Sequence, residues 1–185
     1  MSRYRSPTAP KSKYLTAEGE QKLKAELHQL WKVERPKVTQ SVAEAAALGD
    51  RSENAEYIYG KKRLREIDSR VRYLSKRLEE ISVVSTLPDD LNKVYFGAWV
   101  TLEDDHGKLA RYRLVGPDEI DTQRGYISID SPLGKALLGK TSESDISITA
   151  PTGESGYFIK SISYSDQPTS GMSRFLLFRA RWRQR

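Results

Sequence analysis

No cysteine occurs among the 185 residues, which excludes a disulfide framework and any thiolate metal site. Imidazole is nearly as scarce: His28 and His106 are the two histidines. They stand far apart in sequence, as isolated surface or helix residues do. Long apolar runs are missing too. None approaches the roughly 20 residues a bilayer-spanning helix needs, and Met1–Lys13 is basic and polar where a secretory signal would place an apolar core. No membrane partner is expected, and a cytoplasmic location is. Two stretches lack acids altogether. Residues 1–13 carry four cations and residues 167–185 carry five, with no Asp or Glu in either. Taken from the net charge of +6, they leave −3 for residues 14–166. The basicity of the chain therefore lies in its ends.

What is present begins with a helical pattern broken once. Tyr57, Gly60, Leu64, Ile67, Val71, Leu74, Leu78 and Ile81 recur at alternating steps of three and four, the spacing of a coiled-coil seam. Upstream, Leu23, Leu27, Leu30 or Trp31, Val38, Val42, Ala45 and Leu48 give a looser version. Folding the chain at Gly49–Ser52 sets Leu48 against Tyr57, Ala45 against Gly60, Val42 against Leu64, Val38 against Ile67 and Leu27 against Leu78. This is an antiparallel helical hairpin over residues 14–86, and arms of roughly 30 residues reach about 45 Å. Thr16 is a fair N-cap with Gly19 at N3. Pro36 should kink the first arm, and Glu34 falls at a seam position opposite Val71.

The hairpin's tip is acidic. Asp50 and Glu53 have capping-box spacing, so the second helix is expected to start near Asp50 or Ser52, and the acids then merely satisfy open N–H groups. On a protruding tip that explanation weakens, because a plain turn could use Ser, Gly and Asn. Lys61, Lys62, Arg63 and Arg65 follow, then Arg70 and Arg72, with no acid at positions 58–65. A solvated helix flank accounts for such a run. A basic patch beside an acidic point also suits a polyanion whose end must be brought to a metal.

Residues 87–93 read as a linker around Leu87-Pro88-Asp89-Asp90. Beyond it, short β-like runs at Val94–Leu102, Leu109–Val115, Tyr126–Ile129, Asp145–Thr149 and Tyr157–Tyr164 are separated by Gly- and Pro-containing turns. A short helix fits Ser131–Leu138, with Ser131 as N-cap, Pro132 at N1 and Gly139 at C′. Tyr95, Phe96, Trp99, Tyr112, Tyr126 and Phe158 are expected in the core of this module, residues 94–166. The fold class is α+β. Residues 1–13 read as a flexible leader, and residues 167–185 as a basic tail suited to RNA, a membrane surface or disorder.

Leu48-Gly49-Asp50-Arg51-Ser52-Glu53-Asn54-Ala55, Lys61-Lys62-Arg63-Leu64-Arg65-Glu66-Ile67-Asp68 and Ile127-Ser128-Ile129-Asp130-Ser131-Pro132-Leu133 resemble the bacterial Gre transcript-cleavage factors, most closely the GreB type. The resemblance runs from about Tyr14 to Tyr164. It implies a coiled coil joined to an FKBP-like domain, a monomer that enters the secondary channel of RNA polymerase and is not itself an enzyme. It further implies that Asp50 and Glu53 help hold a catalytic Mg²⁺ shared with the polymerase, supported by Ser52 and Asn54. Lys61, Lys62, Arg63 and Arg65 would meet the backtracked nascent RNA, and Asp130, Ser131 and Pro132 would belong to the polymerase-docking surface.

The chemistry agrees. Two carboxylates ~4 Å apart repel by ~1 kcal/mol in water, and a divalent cation reverses that sign. Mg²⁺ is commonly held by one or two carboxylates, with waters and phosphate oxygens completing the octahedron, so one tip supplies part of a site. Three other readings compete: a non-catalytic channel regulator of the polymerase, a prolyl isomerase or chaperone, and a free-standing RNA-binding coiled coil. The intact Asp50/Glu53 pair argues against the first, and the long hairpin has no role in the second. Salt-dependent RNA binding without polymerase would mark the third.

Overall fold

Thr16 opens the first arm as its side chain predicts. In the computed structural model, which describes residues 11–49, 51, 53–150 and 153–165, its Oγ1 accepts the Gly19 N–H at 3.0 Å and caps α1 (Ala17–His28). The helix then widens into a π-helical turn over Gln29–Glu34 before α2 (Arg35–Ala47). The Arg35 N–H reaches back five residues to the Leu30 carbonyl. This irregularity lies immediately before Pro36, which has no N–H to return to the preceding turn. The arm therefore passes the proline through a wide turn rather than by the expected break in its bonding at Pro36 alone.

The return arm, α3 (Ala55–Glu80), carries the seam. Ile67 and Leu74 are fully buried, while Tyr57, Gly60, Leu64, Val71 and Leu78 are half-buried. On the first arm Leu23 and Ala45 are buried, and Leu30 rather than the exposed Trp31 faces inward. The pairing register differs from the mirror pattern. A side chain at Gly60 would collide with Val42 Cγ2, so Gly60 faces Val42 and not Ala45. Leu48 is 80% exposed and has left the seam. Glu34 pairs with Arg63 rather than facing Val71. The connection between Ala47 and Ala55 centres the hairpin near residue 51, which sets Gly60 on Val42, and the π turn adds its extra residue to the first arm only on the base side of that contact.

The two chain ends of the hairpin meet in a parallel pair of short strands, β1 (Tyr14–Thr16) and β2 (Ser82–Val84). Leu15 is fully buried there, clustered with Leu23 and Leu74. The Lys13 carbonyl accepts the Ser82 N–H at 2.7 Å and the Ser12 carbonyl accepts from Arg77 at 2.5 Å. The end of the expected flexible leader is thus held at the hairpin base. Val115–Ile120, expected within the C-terminal module, is counted with this first compact unit. The Glu119 carboxylate accepts the Thr16 N–H at 3.0 Å as well as its hydroxyl. Arg77 Nε donates to Asp118 at 2.6 Å.

The second unit is built on β3 (Trp99–Asp104), β4 (Leu109–Val115), β5 (Tyr126–Ser128), β6 (Asp145–Ala150) and β7 (Gly153–Ser163), in sheet order β5-β4-β3-β7-β6. Alternate residues Val100 and Leu102 of β3, with Leu114, Ile146 and Ile159, form its core with Leu137 of the short helix α4 (Pro132–Leu137). The first strand starts at Trp99 rather than Val94, because Gly97 at φ +84° turns the chain just before it. Tyr95, expected in the core, is exposed. Helices dominate one unit and strands the other, an α+β chain. No described helix is long and apolar enough to cross a membrane.

Candidate functional site

The turn between α2 and α3 is built from one glycine and one asparagine. Leu48 closes α2 with its N–H on the Ala45 carbonyl at 3.3 Å, and Gly49 follows at φ +83°, the left-handed conformation that ends helices with least strain. Asn54 then does two jobs. Its Oδ1 accepts the Tyr57 N–H at 3.2 Å and caps α3, while its Nδ2 donates to the Ala45 carbonyl at 3.0 Å on the opposite arm. One amide side chain thus starts the second helix and ties it to the first.

This overturns the expected helix start at Asp50 or Ser52. The cap is Asn54, and Glu53 stands just before it with an exposed side chain. The capping-box account of the two acids fails for a physical reason. A box needs the acid inside the first turn at N3, but the helix begins beyond both acids. Asp50 and Ser52 lie outside the described residues.

The basic run divides. Lys61, Lys62 and Arg65 are exposed on α3. Arg63 turns the other way and pairs with Glu34 of the first arm, its Nε donating at 2.9 Å, and with Glu66 at 3.2 Å. The hydrogen bond to Glu34 pushes its pKa further above the usual guanidinium value. Seven residues on, Arg70 makes a two-point contact with Glu26 at 2.7 and 2.9 Å; seven more, Arg77 meets Asp118. Arg63, Arg70 and Arg77 are an arginine ladder that clips α3 to its neighbours. Their heptad spacing was the available signal, masked by reading Arg63 and Arg70 as members of a local cluster. Arg63 is therefore committed to the hairpin, unlike its three neighbours in the run.

In the second unit Ser131 caps α4, its Oγ accepting the Gly134 N–H at 3.0 Å and donating to the Ser128 carbonyl at 2.6 Å. Pro132 takes the first helical position and is exposed; Asp130 and Ser131 are half-buried. Ser128 Oγ accepts the Asp130 N–H at 3.0 Å, so the three residues form one rigid corner. Among the described residues no group of three or more side chains is arranged to hold a metal ion.

Known proteins match both units. A family model described as transcription elongation factor, N-terminal, covers residues 13–83, and another described as transcription elongation factor, GreA/GreB, C-term, covers residues 88–164. Transcription elongation factor GreB of Pseudomonas aeruginosa is 60% identical over 168 residues, 91% of this chain and 100% of that protein. The GreB of Yersinia pestis is 56% identical over 154 residues, 83% of this chain and 90% of that protein. Among solved structures, GreA factor homolog 1 of Thermus thermophilus is 23% identical with a TM-score of 0.39, over 82% of this chain and 99% of that one. The chain belongs to the GreA/GreB family of transcription elongation factors, and it is of the GreB type.

Proposed function

We propose that this factor acts at RNA polymerase by presenting its hairpin tip to the catalytic centre through the secondary channel, where it stimulates the polymerase's own cleavage of backtracked RNA. The observation that carries this reading is the tip itself. Asn54 already caps α3 and bridges the arms, so Glu53 is left exposed with no part in the helix start. A carboxylate placed at the end of a long rod, and not needed by the fold, is available to a partner.

Asp50 and Glu53 would hold a Mg²⁺ in common with the polymerase, and carboxylate oxygens are the hard donors that ion takes. When bound, the metal lowers the pKa of a coordinated water and steadies the charge of an in-line phosphodiester displacement. The protein's own residues do the positioning. Gly49 and Asn54 fix the turn on two packed helices, which keeps a donor within the tolerance such chemistry demands. Lys61, Lys62 and Arg65 lie within about three turns of the tip and attract the phosphates of the extruded 3′ segment. Asp130, Ser131 and Pro132 supply a rigid corner for docking. Cutting releases a new 3′ end from which synthesis resumes.

The test is Asp50→Asn and Glu53→Gln on stalled, backtracked elongation complexes. Either change should abolish RNA shortening while polymerase binding and thermal melting stay as in the wild type, with partial rescue by raised Mg²⁺ or Mn²⁺. Cleavage at the wild-type rate by both variants would mean that Asp50 and Glu53 are not the catalytic donors, and a wild type that shortens no RNA would leave a non-catalytic channel regulator as the better account.

A further inference from the structure

A groove of about 440 Å³ lies between the two arms beside the start of the π-helical turn, floored by Leu27, Trp31 and Val71 and rimmed by Lys24, His28 and Lys32. None of its lining residues is acidic. Trp31 is 45% exposed although it sits at an inter-helical groove. Packing alone does not require it there, because Leu30 fills the seam in its place. Its ring is held from one side by the Arg35 guanidinium, 5.0 Å from the centroid, and Arg35 is itself fixed by Asp68 at 2.8 Å. Of the rim cations, Lys24 is paired with Glu20 at 2.7 Å. An exposed, oriented tryptophan over an apolar floor with a cationic rim has the anatomy of a binding hot spot, and π turns inside α-helices recur at functional positions.

We propose that this groove docks an acidic amphipathic helix of RNA polymerase, its apolar side chain seated against Trp31, Leu27 and Val71 and its carboxylates facing Lys32, His28 and Lys24. Charge complementarity selects the occupant: the rim is cationic and the floor apolar, which suits apolar anchors at helical spacing flanked by acids. Trp31 lies 16 residues before the end of α2, about 24 Å from the tip along the helix, so this contact and the tip's chemistry are separate in space. The inference rests on the reading that the factor works at RNA polymerase, and it adds a contact on the hairpin shaft that orients the rod.

The experiment compares core RNA polymerase binding by the full-length wild type, Trp31→Ala and Lys32→Glu, with melting curves to confirm the fold. Trp31→Ala should bind roughly tenfold more weakly or worse. Lys32→Glu should bind several-fold more weakly at low salt, the difference shrinking as salt rises. With p-benzoylphenylalanine at position 28, photo-crosslinking should capture a polymerase peptide that carries carboxylates around an apolar residue. If both variants bind within about twofold of a binding-competent wild type, or the crosslink falls on RNA or on a peptide without acids, the groove is not this docking site. A wild type that fails to bind polymerase at all would overturn the broader reading and this one with it.

Discussion

Asn54 shows how much of the tip depends on one side chain. It spends its acceptor on the Tyr57 N–H and its donor on the Ala45 carbonyl. Asn54→Ala should cost about 1 kcal/mol for the cap, and more because the amide that ties the arms is lost and the Ala45 carbonyl keeps only the longer bond from the Leu48 N–H. Asn54→Asp keeps the acceptor but faces that carbonyl with a second oxygen, so it should retain the cap and lose the bridge. Chemical denaturation separates them, and a loss under about 0.3 kcal/mol for the alanine variant would refute the assignment. In the sequence, Asp50 and Glu53 competed for this role because their spacing imitates a capping box; only the observed start of α3 decides between them. Tyr73 gives a second test. Its hydroxyl donates to Asp118 at 2.5 Å, and that bond first, then burial, raises its pKa above 10. Because the folded value exceeds the unfolded one, the protonated phenol favours the folded chain. That stabilisation is complete below about pH 10 and is lost as pH rises through the folded pKa. Tyr73→Phe should flatten the alkaline fall in stability, leaving the share of Tyr164, which burial also raises. Superimposable alkaline profiles for variant and wild type would argue against it.

At the scale of the element, the seam of α3 was legible because its apolar steps never miss, and the limits of α4 because Ser131, Pro132 and Gly139 punctuate it. The pairing of the arms was not legible. Period tells which face is buried, but register depends on the turn's length and on the π turn, and neither leaves a mark in apolar spacing. Gly60 reports the true register. In an exposed helix, Gly→Ala stabilises by about 1 kcal/mol through propensity. Here a methyl group would meet Val42 Cγ2 on a stiff β-branched side chain, so Gly60→Ala should destabilise instead. Adding Val42→Ala should return part of the loss, giving a favourable coupling between the two changes. If Gly60→Ala alone raises the denaturation midpoint, or Val42→Ala fails to relieve it, the arms do not cross where the structure puts them.

On the scale of the whole chain, the least legible region is the hairpin base. Local patterns placed Leu15 and Thr16 at a helix start, Val115 at the end of a strand and Gly116-Pro117-Asp118 in a turn, because nothing local to either region reveals a partner 100 residues away. Thr16 and Glu119 are 103 positions apart and bonded; Arg77 and Asp118 are 41 apart, with side chains only 10% and 6% exposed. Such a pair costs much to desolvate, so its net contribution is modest while both partners are present. Removing one charge is different. Asp118→Asn leaves the Arg77 guanidinium buried against the Ser12 carbonyl and an amide, and should cost about 3–5 kcal/mol. Replacing both, as Arg77→Met with Asp118→Leu, should cost less than the single change, because no buried charge is left without a counter-ion. The comparison distinguishes a desolvated pair from a surface one, for which each single change would cost well under about 1 kcal/mol. Urea titrations of the three proteins decide it. A double variant as unstable as Asp118→Asn would mean that the base is held by the specific bonds of Arg77 to Asp118 and Ser12, and not by the balance of charge.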